Sequence, residues 1–221
     1  MDRPFGLDEP IFGGENYKET GVYNMDTINN VKNIFLSASV PLEERDPKFF
    51  RTADIIAIRD AVIALASTVL ANKEYHLIWG GHPSITPLIT LVLERYGLKM
   101  SDRVTLYQSK EFENFFLPEN EDVGIRVITD KKENRDASLL LMRQKMIGDH
   151  KYEAAVFIGG MEGVLDEYAM FEEFHPGVPC LPIASTGAAA LMLFEEHSGN
   201  FDKRLLTELS YTSLFKELLG V

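Results

Sequence analysis

The sequence predicts an α/β protein: a doubly wound, mostly parallel sheet of Rossmann-like type with helices on both faces. Three observations carry that prediction. Short runs that are apolar throughout alternate along the chain with longer stretches of helical period. Runs without a polar face need cover on both sides, which a parallel sheet between helix layers supplies. Strands that alternate with helices, joined by right-handed crossovers, then make the fold doubly wound.

The elements follow in order. Residues 1–30 are rich in Gly, Asn, Asp and Pro and read as an N-terminal arm; 31–200 form the domain and 201–221 a C-terminal helix. Asn33-Ile34-Phe35-Leu36-Ser37 is the first strand, entering a loop at Ala38-Ser39-Val40-Pro41. Between Thr52 and Leu70, apolar residues recur at 55, 56, 58, 62, 63, 65, 66, 69 and 70, the spacing of a helix with a wide buried face. His76-Leu77-Ile78-Trp79 is the second strand, turning at Gly80-Gly81. A helix capped by Thr86, with Pro87 at its first position, runs to Tyr96 and stops at Gly97. Arg103–Tyr107 is the third strand, 110–124 an acidic loop and Gly124–Ile128 the fourth strand. Arg135–Ile147 is helical, Ala154–Ile158 the fifth strand, and a helix spans Gly163–Phe174. Cys180–Ala184 is the last strand, and Ser185-Thr186-Gly187 opens the helix Ala188–Glu196. The tail places Leu205, Leu206, Leu209, Leu214 and Leu218 on one apolar side.

Composition narrows the function. With 34 acidic against 22 basic residues, the net charge is −12. Such a surface repels polymeric nucleic acid and anionic membranes, having no dense cationic stripe. A small anion remains admissible, because backbone N–H groups and one or two local cations suffice to bind it. The lone cysteine, Cys180, sits in an apolar run and reads as a buried inert thiol. The opening MDRPFGLDEP has no apolar core of a signal peptide, and no run of ~18 apolar residues occurs, so the expectation is a cytoplasmic protein. The five histidines are too scattered for a metal site, and neither metal nor cofactor is expected.

In doubly wound sheets ligands bind outside the carboxyl ends of the strands. Those ends here carry Ser37-Ala38-Ser39, Gly80-Gly81-His82, Gln108-Ser109, Gly159-Gly160-Met161-Glu162-Gly163 and Ser185-Thr186-Gly187. Glycine permits close backbone approach, helix starts offer free N–H groups, and small hydroxyls donate without filling space. The set is expected to line one phosphate- or ribose-binding pocket. Neither a P-loop nor a G-x-G-x-x-G signature is present, which disfavours ATPase and ordinary dinucleotide oxidoreductase chemistry.

Ile34-Phe35-Leu36-Ser37-Ala38-Ser39 resembles the opening strand of the SLOG superfamily, which includes the LOG phosphoribohydrolases and DprA-like proteins. Leu77–Pro83 sits where those proteins have a strand and glycine turn. Phe157–Glu167 resembles the LOG hallmark Pro-Gly-Gly-x-Gly-Thr-x-x-Glu. Together with the Tyr107-Gln108-Ser109 and Ser185-Thr186-Gly187 stretches, these are most similar to the SLOG cluster 3 branch, over roughly 31–196. The resemblance implies a Rossmannoid domain recognising nucleotide-derived molecules, with some branches sensing NAD-derived signals in bacterial conflict systems. It implies a phosphate loop of Gly159, Gly160 and Gly163, with Ser37, Ser39, Gly80 and Gly81 in the same pocket. Implied partners are a small nucleotide-derived ligand, a second copy of the chain and an effector protein. The hallmark loop departs from the pattern: it has one extra residue, no preceding Pro and Val164 in place of Thr. The catalytic arginine of LOG hydrolases finds no counterpart by position.

Glu162 and Glu167 are the acid/base candidates, since N-glycoside cleavage needs an acid for the leaving base or a carboxylate beside the ribose. Otherwise Glu162 serves the helix dipole, while Glu167 binds ribose hydroxyls or faces water. His82 is read either as a phosphate donor or base, or as a partner of local backbone. Gln108-Ser109 reads a base or ribose edge, or caps the strand end. Arg45, Lys48, Arg51 and Lys110 reach phosphates or stay solvated. Trp79 and the Phe-rich stretch 112–116 are expected to be packing, with stacking on a nucleobase the alternative. Three functions follow: a ligand sensor or sequestering domain, a nucleotide N-glycosidase using Glu167, and a scaffold subunit with a vestigial pocket.

Overall fold

The computed structural model describes residues 31–97 and 103–221; the expected arm, 1–30, lies outside them. Strands β1 (Lys32–Ser39), β2 (Tyr75–Trp79), β3 (Val104–Ser109), β4 (Ile125–Thr129), β5 (Tyr152–Gly159) and β6 (Cys180–Ile183) form one sheet. Their order is β4-β3-β2-β1-β5-β6, and every pairing is parallel. The chain therefore winds outward from β1 in one direction through β4, then returns to lay β5 on the other side. The crevice beside β1 is the topological switch point. Ala38 and Ser39, expected in a loop, continue β1 and pair with Ile158 and Gly159.

Eight helices cover the sheet among the described residues: α1 (Pro47–Phe50), α2 (Ile55–Ala71), α3 (Thr86–Tyr96), α4 (Arg135–Gly148), α5 (Glu162–Phe174), α6 (Ala188–Glu196), α7 (Arg204–Thr207) and α8 (Tyr211–Leu219). Local chemistry sets their starts. The Asp54 carboxylate accepts from the Ala57 amide at 2.9 Å, and the Asn134 side chain accepts from Ala137 at 2.9 Å. Thr86 is not the expected cap of α3. Ile85 holds that position, because the Thr86 hydroxyl is committed to accepting from the buried Trp79 indole at 3.2 Å.

Alternation along each strand feeds two cores. Ile34, Leu36, Leu77 and Leu106 face α2, α3 and α8; Phe35, Ile78, Tyr107 and Phe157 face α4 and α5. Where one tail helix was expected over 201–221, the chain makes two, α7 and α8, separated by extended backbone at Glu208. Tyr211, Leu214 and Phe215 of α8 are buried in the α2 core, and the Tyr75 hydroxyl donates to the Leu219 carbonyl at 2.9 Å. The acidic stretch after β3 folds into 3-10 turns at Lys110–Phe115 and Pro118–Asp122. No helix among the described residues is long and apolar enough to cross a membrane.

Candidate functional site

The carboxyl ends of β1, β2 and β3 open on a cavity of about 370 Å3, walled on the far side by α4, α5 and the 112–116 turn. That volume lies within the range of small-molecule sites. From β1 come Ser37, Ala38 and Ser39; from the turn after β2, Gly80, Gly81 and His82; from β3, Gln108 and Ser109. The start of α5 adds Met161, Gly163, Val164 and Glu167.

Glu167 anchors the polar side. Ser37 Oγ donates to its Oε2 at 2.5 Å and Arg143 Nε donates to its Oε1 at 3.2 Å, with both charged side chains only 15% exposed. Burial pushes the Glu167 pKa up from 4.5, while Arg143 and Ser37 pull against that shift. Arg143 Nη1 also pairs with Asp166 at 3.0 Å. Its Nη2 lies over the first turn of α5, since a Cβ built on Gly163 would stand 2.8 Å from it. The cap of α5, Met161, offers no side-chain acceptor to that turn. Helix amides and a guanidinium edge therefore face the same space.

The ends of β2 and β3 add further polar groups. The Ser84 hydroxyl, at 2.8 Å, and the Ser84 amide, at 3.3 Å, both meet His82 Nδ1, while the Val40 amide donates to the Ser84 hydroxyl at 3.1 Å. An Nδ1 that accepts from the amide leaves the ring proton on Nε2. Burial and the neighbouring Arg45 lower the His82 pKa to about 4, so the ring is neutral at pH 7. Gln108 is 4% exposed, and its Oε1 is buried without a hydrogen-bond partner. Ser109 acts as a strand-end cap, accepting from the Glu111 amide at 3.3 Å.

Six of the expected residues lie away from the cavity wall. Gly159 and Gly160 have positive φ, +57° and +87°, and pack against Ile58 and Val164, with the Gly160 amide donating to the Ser39 carbonyl at 2.8 Å. Both amides are engaged within the turn, that of Gly159 on the Thr186 hydroxyl and that of Gly160 on the Ser39 carbonyl. Glu162 points to solvent and pairs with Lys48 at 3.3 Å. The Ser185 hydroxyl donates to the Glu208 carbonyl at 3.1 Å, under the tail. Thr186 is fully buried, its hydroxyl donating to Ile183 O at 2.5 Å and accepting from the Gly159 amide at 2.9 Å. Gly187 is jammed against the Thr52 carbonyl, where a Cβ would approach to 1.8 Å. The β5–β6 half of the crevice is thus filled by the chain.

Three groups were missed or misread. Arg143 stands where the sequence offered no partner for Glu167; the available signal was a cation in the stripe Leu139, Met142, Arg143, Met146, otherwise apolar at helical spacing. Arg135, not foreseen, stands at the cavity with Arg45, which was among the expected cations; both are exposed, whereas Lys110 pairs with Asp130 at 2.8 Å. The phenylalanines are not core: Phe112, Phe115 and Phe116 line the cavity, Phe115 is 72% exposed, and Arg135 lies over the Phe112 ring at 5.7 Å. Trp79 is packing, 2% exposed, although it also borders the cavity. Among the described residues no cluster of His, Cys, Asp and Glu is arranged to hold a metal ion.

No curated protein matches the chain. Among solved structures, the X-ray structure of TM1055, a structural-genomics target, is similar with a TM-score of 0.55 at 16% identity, covering 85% of this chain and 99% of that one. At that identity the likeness is one of fold. The SLOG cluster3 family model matches residues 48–219, most of the chain and all of the cavity except its β1 and Arg45 contributions. The Rossmann-like sheet, the glycine turns and this match agree: the chain belongs to the SLOG cluster3 family.

Proposed function

We propose that the cavity binds a small nucleotide or nucleotide-derived ligand of the NAD or ADP-ribose type, and that the domain senses or sequesters it in bacterial anti-phage or stress signalling. The observation that carries this reading is one cavity holding three complementary surfaces. The Gly163 turn with Arg143 Nη2 suits a phosphate, and the exposed Arg45 and Arg135 extend the positive side toward solvent. The Glu167 carboxylate suits ribose hydroxyls. Phe112, Phe115 and Phe116 offer rings for a base. A sensing role needs a listener, for which a second copy of the chain or an effector protein is the expected partner.

A second reading is favoured by Glu167 itself. A half-buried carboxyl with a raised pKa, beside an arginine, can protonate a leaving base or, ionised, stabilise an oxocarbenium-like ribose. Thermal-shift titration with AMP, NAD and ADP-ribose tests binding: ligand at about 100 times its Kd adds about 2.7 kcal/mol of stability. Chromatography of the same mixtures tests cleavage. Free base or nicotinamide, lost in Glu167→Gln, would replace the sensor by the hydrolase. No shift with any of the three would leave the scaffold reading in front.

A further inference from the structure

The cavity has a second polar element that neither phosphate nor ribose recognition uses. Gln108 lies at the end of β3, its backbone carbonyl taken by the Thr129 hydroxyl at 3.3 Å, yet its side-chain oxygen is buried and unpartnered. Leaving such an acceptor unmet costs more than the pairing itself gains, which marks it as waiting for a donor. Gly81 brings the β2 turn against it: a Cβ there would sit 3.2 Å from Gln108 Cγ. The next residue is His82, whose Nδ1 is occupied by Ser84 and whose Nε2–H is the remaining donor of a cavity-lining ring. A primary amide and an N–H donor, from neighbouring strand ends, thus line the same cavity as Glu167 and Arg143.

Resting on the nucleotide reading above, we infer that Gln108 and His82 form the selectivity end of the cavity and recognise a ligand edge presenting an N–H donor beside an acceptor. A glutamine amide pairs in this way with a second amide or with the 6-amino edge of adenine, through two antiparallel hydrogen bonds. His82 adds an Nε2–H donor for the acceptor of that edge, while a carboxylate would offer the Gln108 oxygen no donor. Two ligand classes carry that edge: a 6-aminopurine nucleotide and a nicotinamide nucleotide. An all-acceptor edge leaves the glutamine half-paired.

Calorimetric titration of the full chain with two matched pairs tests the inference. AMP is compared with purine riboside 5′-monophosphate, which lacks the 6-amino donor. Nicotinamide mononucleotide is compared with nicotinate mononucleotide, in which a carboxylate replaces the amide. The expected result is that one pair shows about tenfold or greater preference for the donor-bearing member. In Gln108→Met, close in size and apolar, the preference falls to about parity. The pair that discriminates identifies the ligand class. Binding of all four with equal affinity, or a preference untouched by Gln108→Met, overturns the inference while leaving nucleotide binding intact. Failure of all four to bind the wild type overturns the nucleotide reading as well. The wild-type comparison needs no variant, so a misfolded Gln108→Met does not stall the test.

Discussion

Replacing Gly163 by alanine separates a cavity glycine from a structural one. Its backbone is helical with no positive φ, so alanine meets no conformational penalty, and the helix gains up to about 1 kcal/mol. Against that gain, the new methyl would stand 2.8 Å from Arg143 Nη2, the far end of a flexible side chain that must retreat. Two pairs share that guanidinium: Arg143 Nη1 with the 60% exposed Asp166, worth about 0–1 kcal/mol, and Arg143 Nε with the more buried Glu167, which costs more if broken. With the Nε bond to Glu167 kept and only Nη2 retreating, global stability should stay within about 1 kcal/mol of wild type. Binding should not, because the methyl and the displaced guanidinium both intrude where the phosphate is proposed to sit. Losing one charge-assisted hydrogen bond costs about 1.5–3 kcal/mol, or roughly 10- to 100-fold in Kd. Urea melts give the first quantity and calorimetric titration with the best-binding nucleotide the second. A variant destabilised by several kcal/mol with unchanged affinity would show that Gly163 serves packing, and the phosphate placement would fail with it.

The turn glycines should behave in the opposite way. Gly187→Ala, at φ +72° with a Cβ 1.8 Å from the Thr52 carbonyl, should lose about 3 kcal/mol or more in urea melts and leave Kd unchanged in the folded fraction. Thr186→Val removes the hydroxyl that accepts from Gly159 and donates to Ile183, so a loss of about 1–3 kcal/mol is expected, again without an effect on binding. Glu167→Gln changes the pH dependence. Burial raises the folded-state pKa above 4.5, so the native protein holds this proton more tightly than the unfolded chain does. The resulting stabilisation is present below 4.5 and fades as pH rises through the folded value. Melts of wild type and variant across that window should diverge upward from 4.5, the wild type losing ground to the variant, and parallel curves would contradict the raised pKa.

The sheet was legible because burial on both faces makes each strand apolar throughout, a signal that survives without any motif. Ile34-Phe35-Leu36 needed no context to be read as a strand, although its two faces enter different cores. What the chain hid was division of labour. Thr86, next to a proline, looks like a cap; only the structure shows the Trp79 indole competing for its hydroxyl. Arg143 and Glu167 lie 24 positions apart on separate helices, and no periodicity joins them. Ser37, Gly80, His82 and Gln108 could be grouped in advance because parallel strands send all their carboxyl ends to one edge. Ser185 and Thr186 obeyed the same rule, but the tail took the Ser185 hydroxyl, and Ile183 and Gly159 took that of Thr186.

That asymmetry has a chemical consequence. The switch-point crevice has two halves, and a ligand would ordinarily be offered glycine turns from both. Here Thr52, Ile58 and Val164 fill the space a Cβ would need on Gly187, Gly159 and Gly160, so these turns pack against the chain itself. With the Gly159 and Gly160 amides given to Thr186 and Ser39, the proposed phosphate is assigned to α4 and the start of α5, where Arg143 stands. The same side chain holds Glu167 by its Nε and leaves Nη2 to the cavity, which couples the two ends of the proposed contact. A phosphate drawing on Nη2 competes for the charge that opposes the raised pKa of Glu167, so ligand binding should favour the protonated carboxyl. Proton uptake on binding, read from the buffer dependence of the calorimetric enthalpy, should appear above pH 4.5 in the wild type and vanish in Glu167→Gln. Uptake that persists in the variant would place the responding group elsewhere and uncouple the phosphate from this carboxylate.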